Sequence, residues 1–119
     1  MTSAAAYDSE LLAVLGYEFS QSDVAVSERK IRRRLREKGL GAYDQARVDA
    51  ARALKNDVQQ VFDHRTSSPF HKPGADKHAA ESDWNLPGLV AHLQARHSTL
   101  NPESVHGFVR WGLFYYYLK

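Results

Sequence analysis

At 119 residues the chain is sized for one domain with its own core, expected to span 1–119. It has no cysteine, which excludes disulfides, thiolate metal sites and cysteine nucleophiles. Its net charge of +2 conceals an asymmetry: residues 28–38 hold seven bases and two acids, whereas the remainder has nine bases against twelve acids.

The opening stretch, MTSAAAYDSELLAVLG, has no basic leader and carries Asp8 and Glu10 within its apolar part, so a signal peptide is not expected. No apolar run reaches the roughly 18 residues that span a bilayer. A soluble cytoplasmic protein is the expectation. Residues 1–7 show no pattern and are expected to fray. Asp8 or Ser9 can cap a short helix over 10–15, with Gly16 as a left-handed C′ residue. Leu11, Leu12, Val14 and Leu15 supply its apolar surface, and Tyr17 and Phe19 are expected to pack in the turn that follows.

Ser20-Gln21-Ser22-Asp23 has the form of a capping box with Asp23 at its end, and Ser27 is a second possible cap. Either one helix runs over about 21–38, or a short helix near 21–25 turns into another from 28. In the continuous reading Val24, Ile31 and Leu35 fall within about 40° of one another at 100° per residue. The arginines and lysines then spread over the opposite side. Gly39 and Gly41 end the helix, and Leu40 can fold back on its apolar stripe.

Over 44–63 the helical periodicity is the strongest in the chain: Ala46, Ala50, Leu54, Val58 and Val61, widened by Ala51 and Phe62. This helix is expected to lie antiparallel to the basic one across the short 39–43 connection. Residues 64–82, with Pro69, Pro73 and Gly74, read as a long loop anchored by Phe70 and Trp84. Leu86-Pro87-Gly88-Leu89 opens a fourth helix to about His97, with Leu89, Val90 and Leu93 inward. Asn101 caps a last helix over 102–117, with Pro102 at its first position. Val105, Phe108, Val109, Gly112, Leu113 and Tyr116 fit one face, yet Trp111, Phe114, Tyr115, Tyr117 and Leu118 leave little polar surface. Such a helix is either the buried centre of the fold or an interface. The fold expected is therefore all-α: a compact bundle of four or five helices with an exposed basic helix.

That basic helix, SERKIRRRLREK, carries the functional signal. Arg29, Lys30, Arg32, Arg33, Arg34, Arg36 and Lys38 crowd into about three turns. Arginine forks bind phosphate oxygens bidentately, so the pattern implies a polyanion partner, DNA rather than RNA, with Arg29, Arg32, Arg33 and Arg36 as first contacts. The plain alternative is a solvated helix face. The stretch shares Ser20, Gln21, Ala25, Ser27, Ile31 and Leu35 with the pattern of helix-turn-helix segments. Ala25 and Ser27 are two apart, however, where that motif needs roughly six, so no family is assigned.

The other constellations are weaker. His64, His71 and His78 lie in the loop and His92, His97 and His106 near the last two helices, with no ligand-type spacing and no carboxylate at such spacing; Asp76, Glu81 and Asp83 could assist only a flexible loop site, which holds metals poorly. No metal or cofactor is expected. No phosphate-binding loop, nucleophile elbow or paired carboxylates suggest an enzyme. The runner-up to nucleic-acid binding is a small protein-interaction module. It would use Trp111, Phe114, Tyr115 and Tyr117, as a homodimer or with a protein partner, or the basic helix against an acidic surface.

Overall fold

The computed structural model describes residues 3–19, 23–63, 69–70 and 84–118. The chain is an all-α bundle: α1 (Ser3–Leu15), a 3₁₀ turn (Gly16–Phe19), α2 (Val24–Lys38), α3 (Gln45–Asp63), α4 (Leu86–Arg96) and α5 (Pro102–Leu118). Most of the 64–82 loop, with His64, His71 and His78, lies outside the described residues, as do Ser20–Ser22 of the expected capping box.

The organising element is α1. It packs against α2, α3 and α5. The reason is compositional: Ala5, Tyr7, Leu11, Leu12, Val14 and Leu15 spread over about half of its circumference at 100° per residue, and all are buried. Each buried leucine contributes roughly 1.5–3 kcal/mol, so a helix covered on three sides concentrates the core energy. Two expectations are corrected here. The helix starts at Ser3, and within the stretch expected to fray Ala5 and Tyr7 are buried. The Tyr7 hydroxyl donates to the Ala42 carbonyl at 2.7 Å. The aromatic α5 is not the buried centre either, since Trp111 is 41% and Phe114 60% exposed.

Among the described side chains of α1, Tyr7, Asp8, Ser9 and Glu10 all have hydrogen-bond partners. Asp8 is fully buried and accepts from Arg47 Nε (2.9 Å) and Nη2 (2.6 Å) of α3 and from the Asn101 backbone N–H (2.7 Å). Ser104 of α5 shares a hydrogen bond with Ser9 at 2.8 Å and donates to the Ala5 carbonyl at 3.0 Å. These contacts set the order in which α3 and α5 sit around α1. A buried carboxylate left unpaired would cost several kcal/mol.

The long helix α3 does not lie along α2; both pack on α1. Its buried face is Val48, Ala51, Leu54, Lys55, Val58 and Phe62. Ala46 is exposed and Ala50 and Val61 only half-buried, so the expected stripe is rotated. Lys55 sits inside that face because Glu18 of the 3₁₀ turn meets it at 3.4 Å. Glu18 also binds Arg52, Oε2 to Nη2 at 3.1 Å. Burial alone would raise the Glu18 carboxyl. Hydrogen bonds from Arg52 and Ser27, with the charges of Arg52 and Lys55, outweigh it and hold the pKa below its ordinary value.

Gly16 is not the left-handed cap expected of it, as among the described residues only Gly39 and Gly41 have positive φ. Glycine stands there because the Trp111 indole occupies the space: a Cβ would come within 2.9 Å of its Cη2 and Cζ3. The side chains of Tyr17, Phe19, Tyr116 and Tyr117 lie outside the described part. Trp84 and Phe70 are anchors, as expected. Trp84 is buried edge-on to Phe62 at 5.0 Å, and the Phe70 carbonyl accepts from the Asn85 N–H at 2.7 Å. Asn85 caps α4 through Gly88 N–H, and Asn101 caps α5 through Ser104 N–H at 3.1 Å.

Candidate nucleic-acid interface

The basic helix has two well-made ends. Asp23 is its N-cap, its carboxylate accepting from Val26 N–H at 3.2 Å. At the other end Gly39 takes φ 61°, its N–H bonding the Arg36 carbonyl while Leu40 N–H reaches the Leu35 carbonyl at 3.0 Å. This pair is a Schellman stop, and it requires the left-handed backbone that glycine tolerates. Between the ends α2 is one continuous helix, so the break-and-turn reading fails. Ser27 is a buried helix residue, not a cap. Val24 is 43% exposed, and Ser27 takes the inward place expected of it beside Ile31 and Leu35.

This inward face fixes where each base points. At 100° per residue Arg29, Arg32, Arg33 and Arg36 fall within an arc of about 100° on the side away from Ile31, with Arg32 at its nearer edge. All four are exposed. Lys30 and Arg34 are half-buried on one flank. Lys38 lies near the inward side, exposed at the helix end.

The carboxylates sort the bases further. Glu10 of α1 accepts from Arg34 Nη1 at 2.7 Å and from Lys38 Nζ at 3.0 Å. Its burial would raise its pKa, but these two hydrogen bonds and charges hold it low. Arg34 and Lys38 therefore have an internal partner. Arg33 meets Glu37 one turn on at 3.9 Å, with both side chains more than half exposed, a pairing of little energetic weight. Among the described residues no carboxylate forms an ion pair with Arg29, Arg32 or Arg36. Glu18 is engaged by Arg52 and Lys55, and Asp57 by Arg96 (2.8 Å) and His97 (2.6 Å). Arg32 is instead braced by an aromatic ring: its guanidinium carbon lies 3.8 Å from the Tyr43 ring centroid. Stacking fixes the fork while leaving its N–H donors in plane and available.

Of the aromatic residues, Tyr115 is half-buried and stacks on Trp111 at 5.4 Å. Arg96 and His97 at the end of α4, closed by Asp57, were not legible in the sequence. The only sequence signal was a His placed just past the helix end. His92 and His106 are exposed. Among the described residues no three His, Asp or Glu side chains gather to hold a metal ion, and no helix is long and apolar enough to cross a membrane.

Compared with protein-family models, curated proteins and solved structures, the chain matches none.

Proposed function

We propose that this chain is a non-enzymatic nucleic-acid-binding protein that grips phosphates through the outer arc of α2. The observation that carries this reading is the segregation of charge on one helix. Arg34 and Lys38 turn to Glu10, while Arg29, Arg32, Arg33 and Arg36 share one exposed arc on which, among the described residues, only Arg33 has an ion pair, the long one with Glu37. A surface that served folding alone would place its arginines against the protein's own acids, as Arg47 and Arg52 are placed. Duplex DNA is the first target, since a helix about 10–12 Å across fits a major groove about 12 Å wide. Lys30, Arg34 and Lys38 flank the arc, the latter two offset by Glu10. The absence of cysteine is compatible with a reducing compartment, and the reading assigns the protein to the cytoplasm.

Changing Arg32, Arg33 and Arg36 together to Glu should abolish an electrophoretic shift of random duplex at low salt while the helical circular-dichroism signal stays intact. Undiminished binding by that variant would sink the proposal. A second reading, a protein-interaction module, rests on the exposure of Trp111 and Phe114. Failure of the unmodified chain to shift duplex at low salt would favour it.

A further inference from the structure

Among the described residues, Arg32 is the one member of the outer arc held from outside α2. Tyr43, in the connection to α3, has its ring centroid 3.8 Å from the Arg32 guanidinium carbon. Arg33 has the long pair with Glu37 of its own helix. Glu28 also faces the Tyr43 ring, yet it forms no ion pair with Arg32, and Arg52 on the other side is bonded to Glu18.

Tyr43 is itself fixed at three points. Its half-buried ring packs against the core. Its hydroxyl donates to Gln45 Oε1 at 3.0 Å, and Gln45 Nε2 donates in turn to Asp49 Oδ1 at 2.9 Å, one turn into α3. The backbone just before it is tied to α1, where the buried Tyr7 hydroxyl donates to the Ala42 carbonyl at 2.7 Å. The ring under Arg32 is thus set by α1 and α3 together.

Position on α2 decides what the braced fork meets. At 100° per residue Arg32 and Arg33 form the two edges of the arc, with Arg29 and Arg36 between them. A helix seated in a groove turns its edges to the sugar-phosphate walls. A guanidinium stacked on a ring keeps its N–H donors in plane, and two of them match two phosphate oxygens. Arg33, at the opposite edge, has no ring beneath it and supplies the unbraced comparison.

We propose that Tyr43 is a positioning residue: it holds Arg32 as a pre-ordered clamp on one phosphate wall, a contact that adds affinity without regard to base sequence. The inference rests on the nucleic-acid reading above and assigns one contact within it.

Fluorescence anisotropy with two labelled duplexes, one of A·T and one of G·C pairs, tests the clamp. Ordering a long side chain beforehand is worth about threefold to tenfold in affinity. Tyr43→Leu should weaken both duplexes equally by that factor, whereas Tyr43→Phe, which keeps the ring, should stay within about twofold of wild type. In an Arg32→Ala background Tyr43→Leu should have no further effect, a result that general loosening of the fold does not give. Arg32→Lys leaves the core untouched and keeps the charge but removes the planar fork. It should weaken binding at least about threefold, against less than about twofold for Arg33→Lys. The inference is overturned if Tyr43→Leu has no effect, if it acts as strongly with Arg32→Ala as without, if its loss differs between the duplexes, or if the two lysine variants behave alike. Wild type that binds while these contrasts vanish refutes the clamp alone. Wild type that binds neither duplex refutes the nucleic-acid reading and the clamp with it.

Discussion

The division of six of the seven bases into an outer arc of four and an inner pair makes a quantitative prediction. Arg29 and Arg36 are seven residues apart, so the arc is roughly 10 Å long at 1.5 Å per residue. That length accommodates about one phosphate per outward arginine, four at most, given a charge spacing of about 3.4 Å along each strand. Counterion release then gives log K against log salt a slope near −3.6, and raising salt from about 50 to 200 mM should weaken binding about a hundredfold. Single replacement of Arg29, Arg32, Arg33 or Arg36 by Ala should flatten the slope by about 1 each. Arg34→Ala should leave the slope nearly unchanged, because its guanidinium already lies 2.7 Å from Glu10. Fluorescence anisotropy of a labelled random duplex at four salt concentrations measures every slope. If Arg34→Ala flattens the line as much as Arg36→Ala, the inner and outer bases are equivalent and the reasoning from geometry is refuted.

Two further predictions concern the scaffold that presents the arc. Glu18→Gln leaves Lys55 and Arg52 without their carboxylate in a buried setting and should cost about 3–5 kcal/mol. The folded-state pKa of Glu18 is lowered from the ordinary 4.5. Its contribution is therefore complete above that value and is lost as pH falls through the lowered one. The melting-temperature gap between wild type and Glu18→Gln should narrow as pH drops below 4.5, and a gap that widens there would contradict the assignment. The second prediction is a pair of glycine replacements in α5. At Gly112 a Cβ would stand 2.7 Å from Val58 Cγ1, so Gly112→Ala should destabilise despite alanine's better helix propensity, by about 1 kcal/mol net. At Gly107 the space is open, so Gly107→Ala should stabilise by up to about 1 kcal/mol. Thermal melts shifted in the same direction by both would show that the close α3–α5 approach is misjudged.

Much of the local structure was written in short stretches of sequence. The Asn101-Pro102 start of α5, the Pro87 opening of α4 and the Gly39-Leu40 stop of α2 each depend on residues within a turn of one another. Periodicity was less reliable. In α3 the small alanines suggested a stripe through Ala46 and Ala50, but packing chose the face holding Val48, because larger side chains remove more apolar area from water. Lys55 on that face could not be anticipated from α3 alone, since its partner Glu18 lies 37 positions earlier.

The sequence by itself determined that this chain is helical, that its positive charge is concentrated in a single helix, and where that helix stops. Propensity, caps and composition act over a few residues, and those are present before folding. Only the tertiary structure decided that α1 lies at the centre, that Glu10 gives Arg34 and Lys38 an internal partner, and that Arg29, Arg32 and Arg36 are left facing water. A helix has no inside or outside until neighbours cover part of it. The rotation of α2 about its own axis, and with it the surface it shows, is set by burying Ser27, Ile31 and Leu35 against another part of the chain.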